Sequence, residues 1–198
     1  MPGSFASNRI SYPGGVVGPD VGTGAALFAA ADHPGRFRSL VVGSGGASFP
    51  LQLGGVLQDW VTAPNLDALR AVDGRVIVQA AVGNLERYAL PEAVREDYLS
   101  AYEGERFVES VAYVRAYPEE LRALAELLPG IESPVQIICP LWDWIVPPSN
   151  QRYRNQKLPY SKLDFVDAAH FPWEDAAEIY ADLITSWWAD GYSTCGAP

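Results

Sequence analysis

The 198-residue chain reads as an α/β protein, a mostly parallel sheet carrying a helical insertion. Three observations predict this. Short runs rich in Val, Ile and Leu occur at 16–17, 39–42, 135–139 and 162–166 and read as strands of a buried sheet. The first, third and fourth runs are each followed by a helical pattern. Between the second and third runs lies a long block, residues 51–128, whose apolar spacing is helical.

The elements follow in order. The first fifteen residues, rich in Gly, Pro and Ser, read as coil, and Val16-Val17 close the first strand. Residues 23–32, Ala-rich, form a helix stopped by His33-Pro34-Gly35. Residues 39–42 form the second strand, which ends in Gly43-Ser44-Gly45-Gly46, a tight crossing. The helical block is punctuated by Pro91, Pro118 and Pro129. Residues 93–102 and 105–117 each repeat apolar positions every three to four residues, and 118–128 aligns Leu121, Leu124, Leu127 and Leu128 on one face. Strands return at 135–139 and 162–166. A last helix runs from about 173 to 188, with Ala177, Tyr180, Ala181, Ile184 and Trp188 inward, and Gly191 onward is a frayed tail. Residues 1–50 and 131–198 therefore make the core, and 51–130 the insertion.

Three loops carry the chemistry. At the first strand-to-helix junction stands Gly18-Pro19-Asp20-Val21-Gly22. Glycines at 18 and 22 let strand and helix approach and let Asp20 take a strained backbone, the G-x-Nuc-x-G arrangement that exposes a nucleophile on a sharp turn. A carboxylate in that slot attacks carbon to give an alkyl ester. Asp143 follows the strand at 135–139, within Pro140-Leu141-Trp142-Asp143-Trp144-Ile145-Val146-Pro147, and His170 follows the strand at 162–166. Carboxyl ends of neighbouring parallel strands are where an open α/β sheet collects reactive groups. The bland readings make Asp20 a turn residue or N-cap, Asp143 an N-cap for a helix starting near Pro148, and His170 a satisfied structural histidine. The nucleophile–acid–histidine order weighs against all three together. His33, at a helix C-terminus, is structural, and Tyr98, Tyr102, Tyr113 and Tyr117 are mostly packing, with one or two free to line a pocket.

On these motifs, from about Val16 to Tyr192, the chain resembles the α/β-hydrolase superfamily, and through Asp20 its epoxide hydrolases and haloalkane dehalogenases. The resemblance implies Asp20 as nucleophile, Asp143 as acid, His170 as water-activating base, the Val21 backbone N–H as an oxyanion donor, and residues 97–118 within a helical cap. The implied substrate is a small apolar epoxide or organohalide, with no cofactor. The family also places strands and a His-Gly oxyanion loop ahead of the elbow. The resemblance therefore implies an N-terminally truncated sheet with an open edge at its first strand, a chain that is dimeric or poorly soluble, and weak activity. The alternative is a truncated, non-catalytic binding relative of the same fold. More remote is a short-chain dehydrogenase using NAD(P), from Gly18-x-x-x-Gly22-x-Gly24 and Tyr153-x-x-x-Lys157; Pro147-Pro148 and Pro159 leave that pair at most a short helix, and no serine precedes the tyrosine at the needed distance.

Composition narrows the partners. A net charge of −10 repels phosphate backbones, so nucleic acid and anionic membranes are excluded as partners. No apolar run approaches the roughly 18 residues of a membrane span, and the start lacks the charged head and apolar middle of a signal peptide. Two cysteines, Cys139 and Cys195, make no disulfide framework and fit a reducing, cytoplasmic setting; Cys139 is packing. Two distant histidines build no usual zinc site.

Overall fold

The structure, a computed structural model, describes residues 14–192 and 195–196. Most of the N-terminal stretch read as coil, and residues 193–194 and 197–198 of the tail, lie outside the described residues. Four strands run parallel: β1 (Gly14–Pro19), β2 (Phe37–Gly43), β3 (Val135–Pro140) and β4 (Tyr160–Val166). A two-residue strand, β5 (Cys195–Gly196), pairs antiparallel to β4, so part of the tail is not frayed: the outer edge of β4 offers it hydrogen-bonding partners. The strands stand in space in chain order. Among the described residues β1 pairs only with β2, and Val17 on it is exposed.

Successive side chains of a strand point to opposite faces, and both faces of this sheet are covered. Leu40, Val42, Val135 and Ile137 meet α1 (Val21–Asp32) and the helices that follow β2. Val41, Ile138 and Val166 meet the C-terminal helix through Tyr180 and Trp187. Each such fully buried aliphatic contributes about 1.5–3 kcal/mol, which is why the β-branched runs were readable as strands.

Between β2 and β3 the chain forms α2 (Gly55–Thr62), α3 (Asp67–Arg70), α4 (Gly74–Val82), α5 (Glu92–Ala101), α6 (Arg106–Arg115) and α7 (Tyr117–Leu127), closed by one 3₁₀ turn at Leu128–Gly130. Asp73 caps α4 by accepting from the Arg75 N–H. Arg75 in turn reaches Glu96 and Glu103, joining α4 to α5 and the turn after it. Val78, Val82, Leu99, Phe107, Val111 and Val114 make the inner face of these helices, continuous with the core on the sheet.

The C-terminal helix differs from its expected form. It breaks at Ala176, whose φ of −143° is not helical, into α9 (Pro172–Asp175) and α10 (Ala177–Ala189). The break shifts the helical phase. The inner face is Tyr180, Leu183, Ile184 and Trp187, at the i, i+3, i+4, i+7 spacing, while Ala177, Ala181 and Trp188 are exposed. Trp188 instead lies beside Gly15 of β1. Among the described residues no helix is long and apolar enough to cross a membrane.

Candidate active site

The parallel register aligns the strand ends. Pro19 stands opposite Gly43, Gly43 opposite Ile138, and Pro140 opposite Val166. The residues that follow β1, β3 and β4 therefore emerge on one edge of the sheet, and Asp20, Asp143 and His170 are among them.

Asp20 lies at φ 51° and ψ −127°, a region costing on the order of 1–3 kcal/mol for a non-glycine residue. The surroundings impose it. The Asp20 N–H donates to the Gly43 carbonyl at 2.9 Å, and its own carbonyl accepts from the Thr23 N–H at 3.0 Å. The buried Thr23 hydroxyl stands 2.9 Å from both the Gly18 and the Gly43 carbonyl oxygens and accepts from the Gly43 N–H at 3.1 Å. A Cβ on Gly18 would sit 2.5 Å from the Gly22 oxygen, and one on Gly45 would collide with the Asp20 carbonyl and with Thr23. Gly22 is different: the nearest atom to a Cβ there is a Pro19 carbon at 4.0 Å. Space thus demands Gly18 and Gly45, not the second glycine of the motif. The Asp20 side chain makes no cap hydrogen bond to α1.

Asp143 is fully buried. Its Oδ1 accepts from the Ile145 and Val146 N–H groups at 3.1 and 2.8 Å, an Asx-type turn that aims the carboxylate inward. It is not the N-cap of α8 (Ser149–Lys157), a place Pro148 takes. The acid and histidine loops are joined by Leu141 N–H to Val166 O at 2.9 Å and Trp142 N–H to Ala168 O at 3.1 Å. His170 Nδ1 lies 2.9 and 3.0 Å from the two Asp143 oxygens. A buried carboxylate only accepts, so Nδ1 carries the proton and donates, leaving Nε2 on the opposite side. Nε2 is 3.7 Å from Asp20 Oδ1.

Electrostatics follow from this packing. The Asp20 side chain keeps 41% of its accessible surface. Burial raises its pKa above 3.8; the His170 charge opposes this, Asp143 adds to it, and the Val21 N–H pulls the other way. Burial pulls the His170 pKa down, but the Asp143 hydrogen bond and the negative charges of Asp143 and Asp20 outweigh it, so the net shift is upward from 6.5.

Three tyrosines of the helical block feel the carboxylate's charge. Burial, joined by the charge of Asp20, raises the phenol pKa of Tyr102, Tyr113 and Tyr117. Tyr113 Oη donates to the Val21 carbonyl at 3.0 Å. Tyr98 serves elsewhere, donating to Glu174 at 2.8 Å and accepting from Trp173.

Other candidates fall outside this cluster. Cys139 is buried, and burial pushes its thiol up to about 11. His33 is the C-cap of α1. Tyr153 and Lys157 do share a helix, α8, but Lys157 Nζ lies 5.7 Å above the Tyr153 ring, and Tyr153 packs on the core. Among the described residues no group of three His, Cys, Asp or Glu is placed to hold a metal.

Four positioning residues were not anticipated: Thr23, Asn150, Arg154 and Asp175. Asn150 Oδ1 accepts from the Ala47 and Ser48 N–H groups, and its Nδ2 donates to Gln52 O. Buried Arg154 donates to Gly45 O at 2.6 Å. Together they fix the loop after β2 that presses on the elbow.

No protein-family model matches the chain, and no curated protein does. Solved structures do. The α/β hydrolase MGS-M2 from a Medee basin deep-sea metagenome library is 19% identical, with a TM-score of 0.66 over 88% of this chain and 64% of that one. A thermophilic esterase from Thermogutta terrifontis is 17% identical, with a TM-score of 0.66 over 90% and 65%. The esterase EaEST from Exiguobacterium antarcticum is 16% identical, with a TM-score of 0.69 over 86% and 65%. The chain spans about two thirds of the length of these structures, and likeness at such identities speaks for the fold.

Proposed function

From the α/β-hydrolase fold that this chain shares with those structures, we propose a hydrolase that uses Asp20 as its nucleophile on a small apolar epoxide or organohalide. The observation that carries the reading is the Asp20–His170–Asp143 constellation, with a strained carboxylate 3.7 Å from an imidazole nitrogen. An Asp20 oxygen attacks the electrophilic carbon, and the bond from that carbon to halide or epoxide oxygen breaks. A halide leaves as the anion; an epoxide oxygen takes a proton, for which Tyr102, Tyr113 and Tyr117, the phenols that feel the Asp20 charge, are the candidates. Water then attacks the ester carbonyl carbon while His170 Nε2 takes its proton, and the Val21 N–H steadies the oxyanion. Collapse releases the alcohol or diol and restores the Asp20 carboxylate. Asp143 keeps the imidazole in its Nδ1–H tautomer and balances the charge that forms.

The roles separate experimentally. Attack by Asp20 needs no base, whereas hydrolysis of the ester does, so His170→Gln is expected to accumulate a covalent adduct. Intact-protein mass spectrometry after incubation with a panel of epoxides and haloalkanes reads it, the gain equalling the whole epoxide or the haloalkane less hydrogen halide. An unmodified His170→Gln chain, beside an unmutated chain that turns over, sinks the mechanism. Binding without turnover by the unmutated chain favours a non-catalytic relative of the same fold.

The pH dependence has a definite sign. Ester formation needs Asp20 ionised and hydrolysis needs His170 neutral, and both pKa values are raised. Activity is then full above the raised values and lost as pH falls through them. Asp20 is uncharged once esterified, but the Asp143 hydrogen bond and charge still act on His170, so the acid limb of kcat is expected above 6.5. A kcat profile over about pH 5–9 measures it; a limb at or below the ordinary imidazole value contradicts the assignment.

A further inference from the structure

Beneath the histidine loop, the last residue of α9 holds a buried carboxylate that the mechanism does not use. Asp175 Oδ2 accepts from the N–H of Ala169, the residue before His170, at 2.9 Å. Its Oδ1 accepts from the Glu86 and Arg87 N–H groups at 3.0 and 2.7 Å. Both partners lie on the segment between α4 and α5, far away in sequence. Three backbone donors on one buried carboxylate are charge-assisted bonds, about twice as strong as neutral ones. The same segment is tied a second time. Arg87 pairs with Asp167, which also accepts from Trp142 Nε1 at 2.7 Å on the acid loop. Next door, Glu174 accepts from Tyr98 of α5.

We infer that Asp175 is a positioning residue for His170, and that through it the histidine is registered against the Glu86–Arg87 segment of the helical block. The backbone on the N-terminal side of His170 is held by Ala168 O, which accepts from Trp142, and by Ala169 N–H on Asp175. The first bond registers the loop against Asp143. The second registers it against the segment between α4 and α5 of the helical block. Losing the second lets His170 drift while Asp20 and Asp143 stay in place. The charged groups facing the ring are Asp143, from the loop after β3, and Asp20, from the elbow; Phe171 packs edge-on with ring centroids 4.9 Å apart.

The activity arm of the test rests on the hydrolytic reading above, so the primary measurement uses no substrate. The chain has two histidines, and His33 at the far end of α1 is an internal control. Histidine side-chain ¹⁵N NMR titrations of the unmutated chain, Asp175→Asn, Asp175→Ala and Arg87→Gln separate the roles. In Asp175→Asn, of the same shape, one orientation of the amide faces N–H against the Ala169 donor and the other faces it against Glu86 and Arg87. The pKa of His170 is expected to fall toward the ordinary imidazole value in both Asp175 variants as its contact with Asp143 loosens, with His33 unchanged. Arg87→Gln, which leaves all three backbone donors in place, is expected to leave both unchanged. Where turnover is measurable, kcat falls on the order of 10- to 100-fold, with KM nearly constant, because the histidine and not the pocket is displaced. A folded Asp175→Asn with the His170 titration of the unmutated chain overturns the inference. So does one that fails to fold, since the carboxylate would then serve the whole fold. If the unmutated chain turns nothing over, the hydrolytic reading fails while the titration still decides this one.

Discussion

Asp20→Gly is expected to abolish turnover and, at the same time, to raise the melting temperature. Loss of a nucleophile costs on the order of 10⁴-fold or more in rate. The stability gain comes from the same position. Asp20 holds φ at 51°, outside the range side chains prefer, and burial disfavours its charge. Glycine adopts such a backbone freely, which recovers on the order of 1–3 kcal/mol, less about 0.5–1 kcal/mol for its greater freedom when unfolded. In a domain of this size that is a rise of a few degrees. Thermal unfolding alongside a turnover assay checks both halves. An inactive variant that melts lower than the unmutated chain would mean that the elbow stores no strain.

Gly45→Ala carries the second large effect. Its methyl group would run into the Asp20 carbonyl and the Thr23 side chain, neither of which can swing away, because both belong to the hydrogen-bonded lattice around Gly43. Overpacking against backbone costs roughly 1–3 kcal/mol, and the displacement falls directly on the nucleophile. Denaturant unfolding is expected to show a loss of about 3 kcal/mol, with turnover falling too. Gly22→Ala is the matched contrast: its Cβ meets nothing closer than a Pro19 carbon at 4.0 Å, and alanine is favoured by about 1 kcal/mol over glycine in a helix. If the two alanines behave alike, the steric account of the elbow is wrong.

This contrast shows what the sequence made readable. The strands announced themselves because the runs at 39–42 and 135–139 are apolar and buried on both faces. The Gly-flanked Asp20 and the strand ends before Asp143 and His170 were legible because a turn of that shape demands small residues, and parallel strands align their carboxyl ends. What stayed hidden depends on distant partners. Gly45 stands twenty-five positions after Asp20 in the chain, and only folding presses the two together. The helix α8, Ser149-Asn150-Gln151-Arg152-Tyr153-Arg154-Asn155-Gln156-Lys157, is polar at all but one position, yet Asn150, Gln151 and Arg154 are buried. Nothing local to those residues tells a polar side chain that meets water from one that meets a backbone carbonyl. The apolar pattern turns Trp188 inward, whereas the structure exposes it and buries Trp187, for a similar reason: the turn at Ala176, where Asp175 reaches inward, resets the helical phase.

The spatial order of the strands has a temporal side. Each strand after β1 pairs with the one synthesised before it, so these strands can add one by one as the chain emerges, with the helical block condensing between β2 and β3. The elbow can form early, because its partners, Thr23, Gly43 and Gly45, are near it in the chain. The imidazole arrives only when β4 has docked. A half-made chain would therefore hold a bent carboxylate with no base beside it, and the reactive ensemble would come into being only at the closing step of assembly.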